Sequence, residues 1–317
     1  MKKQDQRHYD RGKTGQRSHL STLAFLLAGL LIALTSASLA FVGYVASNAS
    51  KRQAIVNEKQ LFQNTLATHR AHIVHEQLTV ARREATVENV VRNFSYEFVH
   101  QQIETLWSGY QHDRVLIVSD GNRVLAESFQ DYTHITDRPL SDTPAYRPLI
   151  EKARALFLSN QVRVPGGYSH RSLQGLVISD YAAVGFIEVD GHPALASAIP
   201  VIPDQETVTL PTATPTILVS AKFIDEKLLS ELNAQLSFVD LTFRPDVIAN
   251  PESPSRFIRD AKDAPLGSFT WRSQSQNHST SIWPTVIPVI LGLSFLLAVL
   301  AFGIAWRIGK LTTSLQA

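Results

Sequence analysis

The chain has 317 residues, of which 44% are hydrophobic and 18% charged. Length fits roughly two domains, and a charge share below the ~25% of soluble globular chains means apolar sequence is concentrated somewhere. Cysteine is absent, which excludes disulfides, thiolate metal sites and Cys nucleophiles; 15 Gly and 15 Pro exclude a collagen-like or wholly disordered chain.

The net charge of +2 hides an uneven distribution. Residues 1–19 carry Lys2, Lys3, Arg7, Arg11, Lys13 and Arg17 against Asp5 and Asp10. Leu20 to Ala46 then contains no charged residue over 27 positions, enough for the ~20 residues a helix needs to cross a bilayer core. A second uncharged run of 24 residues extends from Trp283 to Trp306 and ends at Arg307 and Lys310. Between them, 47–281 holds 22 Lys and Arg against 26 Asp and Glu.

This pattern predicts a two-pass membrane protein, of the inner membrane if the cell is a Gram-negative bacterium. The Lys/Arg bias places a basic tail (1–19) and the end of the chain (307–317, the start of a linker helix) in the cytoplasm. Spans 20–46 and 282–306 flank a periplasmic domain, 47–281. Trp283 and Trp306 stand where interfacial aromatics belong. Pro284 and Pro288 fall at the start of the second span, where a missing N–H is tolerated. A cleaved signal peptide is the competing reading of the first span, with Ser38-Leu39-Ala40 as the cleavage point. The continuation of the run to Ala46 favours an uncleaved anchor. The tail's topogenic role leaves no need for a nucleic-acid partner.

Residues 48–107 read as helical, having no Pro or Gly between Ala49 and Ser108. Leu66, Ile73, Val80, Val87 and Phe94 recur every seven residues, while the companion series His69, Glu76, Arg83 is polar. This is one apolar helix face docked on a domain, with a hairpin or break near residue 80 as an alternative. The α+β core spans 108–281. Arg114–Ser119 and Arg123–Glu127 form a hairpin about Asp120-Gly121-Asn122. Thr143–Leu158 is a helix and 159–174 a loop. Val177–Val189 and Pro193–Val201 form a second hairpin about Asp190-Gly191-His192. A proline-rich loop, 200–215, precedes strand Thr216–Ala221, helix Phe223–Leu236, and strands Val239–Phe243 and Ser268–Arg272. The stretch 244–265, with four prolines, reads as loop. The expected fold class is α+β: two transmembrane helices flanking a PAS/Cache-like sensory domain with a long N-terminal helix and an antiparallel sheet.

No phosphate-binding loop, H-E-x-x-H, G-x-S-x-G, G-x-G-x-x-G, GGDEF or EAL string occurs, so no enzymatic activity and no cofactor are expected. Three groups of residues could form a site. His69, His72 and His75 lie three apart on a helix, but rotation by about 60° per step lets only two share an ion. They are weak metal candidates beside the plainer reading of a solvated face. Trp107, Tyr110, His112 and Asp113 cluster where helix passes to strand, an aromatic wall with polar groups suited to a small ligand. The plain alternative is a structural corner. Tyr168 and Arg171, beside Pro165-Gly166-Gly167, could close over an anionic ligand, or belong to an ordinary surface loop.

The order of motifs resembles the CHASE group of extracellular sensory domains, in its fourth class. The resemblance rests on Gly109-Tyr-Gln-His112-Asp113-Arg-Val-Leu-Ile-Val-Ser-Asp-Gly and on Val189-Asp-Gly-His-Pro193-Ala-Leu-Ala-Ser-Ala-Ile-Pro200-Val-Ile-Pro203. Ile217-Leu-Val-Ser-Ala-Lys-Phe-Ile-Asp225 and Pro265-Leu-Gly-Ser-Phe-Thr-Trp271 follow in the expected order. Where family members carry a Trp-acid-acid-Ala cluster, this chain has Ala81-Arg82-Arg83-Glu84-Ala85. The resemblance implies the input half of a two-pass diguanylate cyclase or cyclic-di-GMP phosphodiesterase. It further implies a homodimer that binds a small molecule or periplasmic partner, with output domains that would follow residue 317 or lie on another chain. The alternative is a stand-alone membrane-anchored interaction protein that partners another receptor.

Overall fold

Helix α1 (Arg11–Ala81) runs unbroken for 71 residues, through the uncharged run and into the Gly/Pro-free stretch that follows. In a computed structural model the residues described are 11–171, 176–204, 208–245, 253–273 and 283–314. The chain forms two units, Met1–Ala54 with Gln274–Ala317, and Ile55–Ser273.

The first unit contains the start of α1 and helix α6 (Trp283–Ser314). Leu30, Leu34 and Phe41 on α1, and Leu291, Phe295 and Leu296 on α6, are all exposed. Exposed apolar surface of this extent calls for an apolar surrounding. Among the described residues one helix, α1, is long and apolar enough to cross a membrane; the apolar stretch of α6, Ile287–Leu300, is shorter. The Ser36 and Ser294 hydroxyls lie 2.8 Å apart. Pro284 falls in the first turn of α6 as expected, but Pro288 lies inside the helix, where its missing N–H does remove a bond. The Trp283 and Trp306 side chains lie outside the described residues.

In the second unit α1 stops at Ala81. Arg82 pairs with Ile202 in a single bridge, and the Ile202 N–H donates to Ala81 O at 3.0 Å. The break near residue 80, the alternative to one continuous helical face over 48–107, is therefore present. It ends the heptad face: Leu66, Ile73, Val80 and Val87 are buried, but Phe94 is 41% exposed. Helix α2 (Glu84–Thr86) runs into a π-helical turn, Val87–Arg92. Helix α3 (Tyr96–Glu104), capped by Ser95, runs into a second, Thr105–Gly109.

Six strands form one antiparallel sheet in the order β3-β2-β1-β8-β7-β6. They are β1 (Arg114–Val118), β2 (Arg123–Phe129), β3 (Tyr132–Pro139), β6 (Ala183–Val189), β7 (His192–Pro200) and β8 (Ile217–Phe223). The β6–β7 hairpin turns on Asp190 (φ 51°) and Gly191 (φ 79°), the two positive φ angles a tight two-residue turn requires. After Arg114, strand β1 is apolar because both faces are covered. Val115 and Ile117 face α1, α2 and α3, whereas Leu116 and Val118 pack with Leu149, Ile150 and Ala153 of helix α4 (Arg147–Asn160).

A three-stranded sheet, β10 (Ser255–Arg259), β11 (Pro265–Arg272) and β9 (Val239–Pro245), packs with helix α5 (Glu226–Leu236) against α1. Asp225 caps α5, accepting from the Leu228 N–H at 2.9 Å. Trp271 is sandwiched between Phe62 of α1 and Phe238, with ring centroids 5.3 and 4.9 Å away. Its indole N–H donates to Glu58 of α1 at 3.0 Å.

Four strands depart from the expectations. Strand β3 was not foreseen; β10 lies in the stretch read as loop; and 159–174 contains a hairpin, β4 (Gln161–Val164) and β5 (Gly167–His170). Helix and antiparallel sheet are mixed as expected, with a long apolar N-terminal helix.

Phe62 has no exposed surface, while its neighbour Leu61 is 44% exposed. Phe62→Ala should therefore destabilise the domain by about 3–5 kcal/mol. Leu61→Ala should cost less than about 0.5 kcal/mol. Denaturant unfolding followed by tryptophan fluorescence checks both.

Candidate functional site

The handover from α3 to β1 aims a side chain into the core. Gln111 takes a left-handed conformation (φ 60°), the His112 N–H donates to Leu106 O at 3.0 Å, and the Asp113 N–H joins the ladder at Ala221 O, 2.9 Å. His112 thereby enters the space between α1 and the sheet, with no exposed surface. Its Nε2 lies 2.9 Å from Glu76 Oε2 on α1, and its Nδ1 lies 2.7 Å from Ser220 Oγ on β8. Lys222 Nζ sits 3.1 Å from the same Glu76 oxygen. The next residue, Gln77, donates to Ser197 O and Leu218 O at 3.3 and 3.4 Å.

Burial pushes His112 below its ordinary pKa; the Glu76 hydrogen bond opposes this and the Lys222 charge adds to it. Burial alone would raise Glu76, but the His112 hydrogen bond and the Lys222 charge outweigh it and hold the carboxyl low. The resulting state is a neutral imidazole beside a carboxylate. Nε2–H then donates to Glu76, and Nδ1 accepts from the Ser220 hydroxyl. The order Ser–His–Glu is that of a hydrolase triad, but Ser220 has no exposed surface and its hydroxyl is not presented to a substrate. The arrangement fastens α1 to the sheet.

The sequence candidates divide into two places. His112 is the buried link. Asp113 accepts from the Phe223 N–H at 2.8 Å and bounds the turn into β1; burial raises its pKa despite that bond. Tyr110 is half-buried with its ring 6.4 Å from His112, and Trp107 is half-buried in the π-helical turn. Tyr168 lies on β5, its backbone paired in both directions with Leu210, and Arg171 is exposed just beyond. Among the described residues no hydrogen bond or ion pair joins Tyr168 or Arg171 to the His112 corner.

His69 is half-buried and its ring lies 6.4 Å from His72; His72 and His75 are exposed. Among the described residues no group of three or more His, Asp or Glu could hold a metal ion. Glu76, Gln77, Ser220 and Lys222 were not foreseen as site residues. Glu76 belongs to the polar series His69–Glu76–Arg83, which is the one signal that could have marked it.

Residues 65–244 match the CHASE4 domain, more than half of the chain. The whole His112 junction lies within that match. The chain belongs to the CHASE4 family, whose domain is an extracellular sensory domain. No curated protein matches it.

The native state holds His112 neutral, whereas the unfolded chain protonates it near pH 6.5. The unfolded state therefore binds more protons below that pH. Stability is full above about pH 6.5 and is lost as the pH falls. Glu76, also depressed, acts with the same sign further into acid. The melting temperature should fall between pH 7.5 and 5.5. His112→Gln should cost about 1–3 kcal/mol at pH 7.5. It should also flatten part of the slope, leaving the share of His69 and His170, which burial also holds low. Thermal melts over this range, read by circular dichroism, check both.

Proposed function

We propose that this CHASE4 chain is the membrane-anchored, periplasmic input module of a bacterial cyclic-di-GMP signalling protein. It spans the inner membrane twice with both termini in the cytoplasm. It pairs as a homodimer and contributes sensing rather than catalysis; the output domain lies outside residues 1–317 or on a partner chain. The observation that carries this reading is the continuity of α1. One helix bears exposed apolar residues such as Leu30, Leu34 and Phe41, and then, without a break, the buried residues Phe62, Leu66, Ile73 and Val80. A helix continuous in this way can pass a displacement along its axis.

Two further features support the reading. Three strands, a helix and three more strands around one antiparallel sheet resemble the plan of PAS and Cache sensory domains. The flanking Lys and Arg residues favour cytoplasmic ends, and the acidic middle an external domain.

The absence of cysteine makes the topology directly testable. Single Lys13→Cys, Ser108→Cys and Thr313→Cys variants are treated with a membrane-impermeant maleimide in spheroplasts. Ser108→Cys should label in intact spheroplasts, and the other two only after lysis. Labelling of Thr313→Cys from outside, or protection of Ser108→Cys, would overturn the two-pass reading.

A further inference from the structure

A cleft of about 620 Å³ opens between α1 and β10. Its α1 wall presents Lys59, Gln63 and Arg70, a stripe at helical spacing. Its β10 wall presents Arg256 and Arg259, and Phe186 contributes to the floor with Leu66 and Ile258. Four of the residues lining it are cationic and, among the described residues lining it, none is acidic. Lys59, Arg256 and Arg259 lie outside the 65–244 match, so the cleft is built largely from the domain's flanks.

The cations are held together at a cost. Burial lowers the pKa of both Lys59 and Arg70, and the Arg256 charge lowers them further. The Arg70 guanidinium sits over the Phe186 ring at 5.1 Å, and its Nε is buried without an acceptor. A buried N–H left unpaired is expensive unless something arrives to accept from it. Among the described residues, Asp263 pairs with Arg259 at 3.6 Å. Asp260 accepts from the backbone N–H groups of Lys262 and Ala264. Turned with its oxygen toward Arg256, the Gln63 amide accepts from that guanidinium at 2.7 and 3.1 Å, but supplies no charge.

We infer that this cleft binds an organic oxyanion carrying at least two negative charges, a polycarboxylate or a phosphate ester. The guanidinium groups of Arg70 and Arg256 grip the oxygens, since such groups match carboxylate and phosphate geometry. Leu66, Ile258 and Phe186 receive the short hydrocarbon body. The volume lies within the range of small-ligand sites. This rests on the sensory reading only for its biological meaning; the binding itself does not depend on it. The same chemistry is offered by a free metabolite and by the headgroup of an anionic lipid.

The test uses the full chain. In lipid-free neutral detergent it is titrated with citrate and with glycerol 3-phosphate, following binding by calorimetry and by the rise in melting temperature. In a second arm it is placed in phosphatidylcholine nanodiscs with and without cardiolipin, whose headgroup carries two phosphates. We expect saturable binding that weakens with added salt. Arg256→Gln, at an exposed position, should weaken it about tenfold, and Lys59→Gln should act in the same direction. Arg163→Gln, which removes an exposed cation on β4, should leave it unchanged. Binding of the soluble anions identifies a free ligand. Stabilisation only by cardiolipin, lost in Arg256→Gln but kept in Arg163→Gln, identifies a lipid headgroup. Binding in neither arm, or equal binding by every variant, overturns the inference. Because no signalling output is read, its failure would leave the labelling result standing, and failed labelling would leave the binding result standing.

Discussion

A carboxylate, an imidazole and a hydroxyl buried in series between α1 and the central sheet set the position of the rest of the domain. Each would be costly to bury alone, and together they are satisfied only in one register of helix on sheet. Moving α1 along its axis by one turn, about 5.4 Å, would strand Glu76, His112 and Ser220 at once. Such an interface has discrete positions rather than a continuum, since packed cores do not deform gradually. Lys222 tightens this further by neutralising Glu76, so the imidazole need not carry a proton to stay there.

Some distance back along the same helix lies a second grip. Glu58 accepts from the Trp271 indole at 3.0 Å and from the Ser273 hydroxyl at 2.8 Å, and Phe62 stacks on that indole. Eighteen residues separate Glu58 from Glu76, about 27 Å of helix. The grips differ in kind. The one at His112 is polar, with His112 and Ser220 buried and Glu76 half-buried; the one at Glu58 joins hydrogen bonds to aromatic stacking. The grip at Glu58 also ties the first turns of the domain to its last residues, because Ser273 closes the unit that Ile55 opens. A shift of α1 against β11 therefore changes the relation between the two chain ends of the domain.

What could be read from sequence followed the physics that is local in sequence. The Asp190-Gly191 turn was legible because few residues other than Gly, Asn and Asp accept two positive φ angles in succession. The both-faces-buried strand β1 was legible as an unbroken apolar run. Strand β10 was hidden because Pro251, Pro254 and the surrounding charges look like loop, and it is an edge strand, where such residues are tolerated. The β4–β5 hairpin was hidden by short, polar arms around Pro165-Gly166. At the site, His112 and Asp113 stood out by residue type. The partners of His112 did not, since Glu76 lies 36 positions before it and Ser220 lies 108 after. Only the sheet order, which sets β1 beside β8 under α1, brings them together.

The same reasoning explains why the cationic cleft left no trace in the charge pattern. The region 47–281 is acidic overall, and Arg256 and Arg259 fall in the stretch that reads as loop. Their meeting with Lys59 and Arg70 exists only once β10 is a strand packed near α1. A local positive site within a negative surface has a physical consequence. Beyond a Debye length, about 8 Å at physiological salt, the surface does not steer anions inward. Selection must then occur at contact, through the fixed geometry of the two guanidinium groups. This favours an anion whose charges are spaced to meet both over one that is merely abundant.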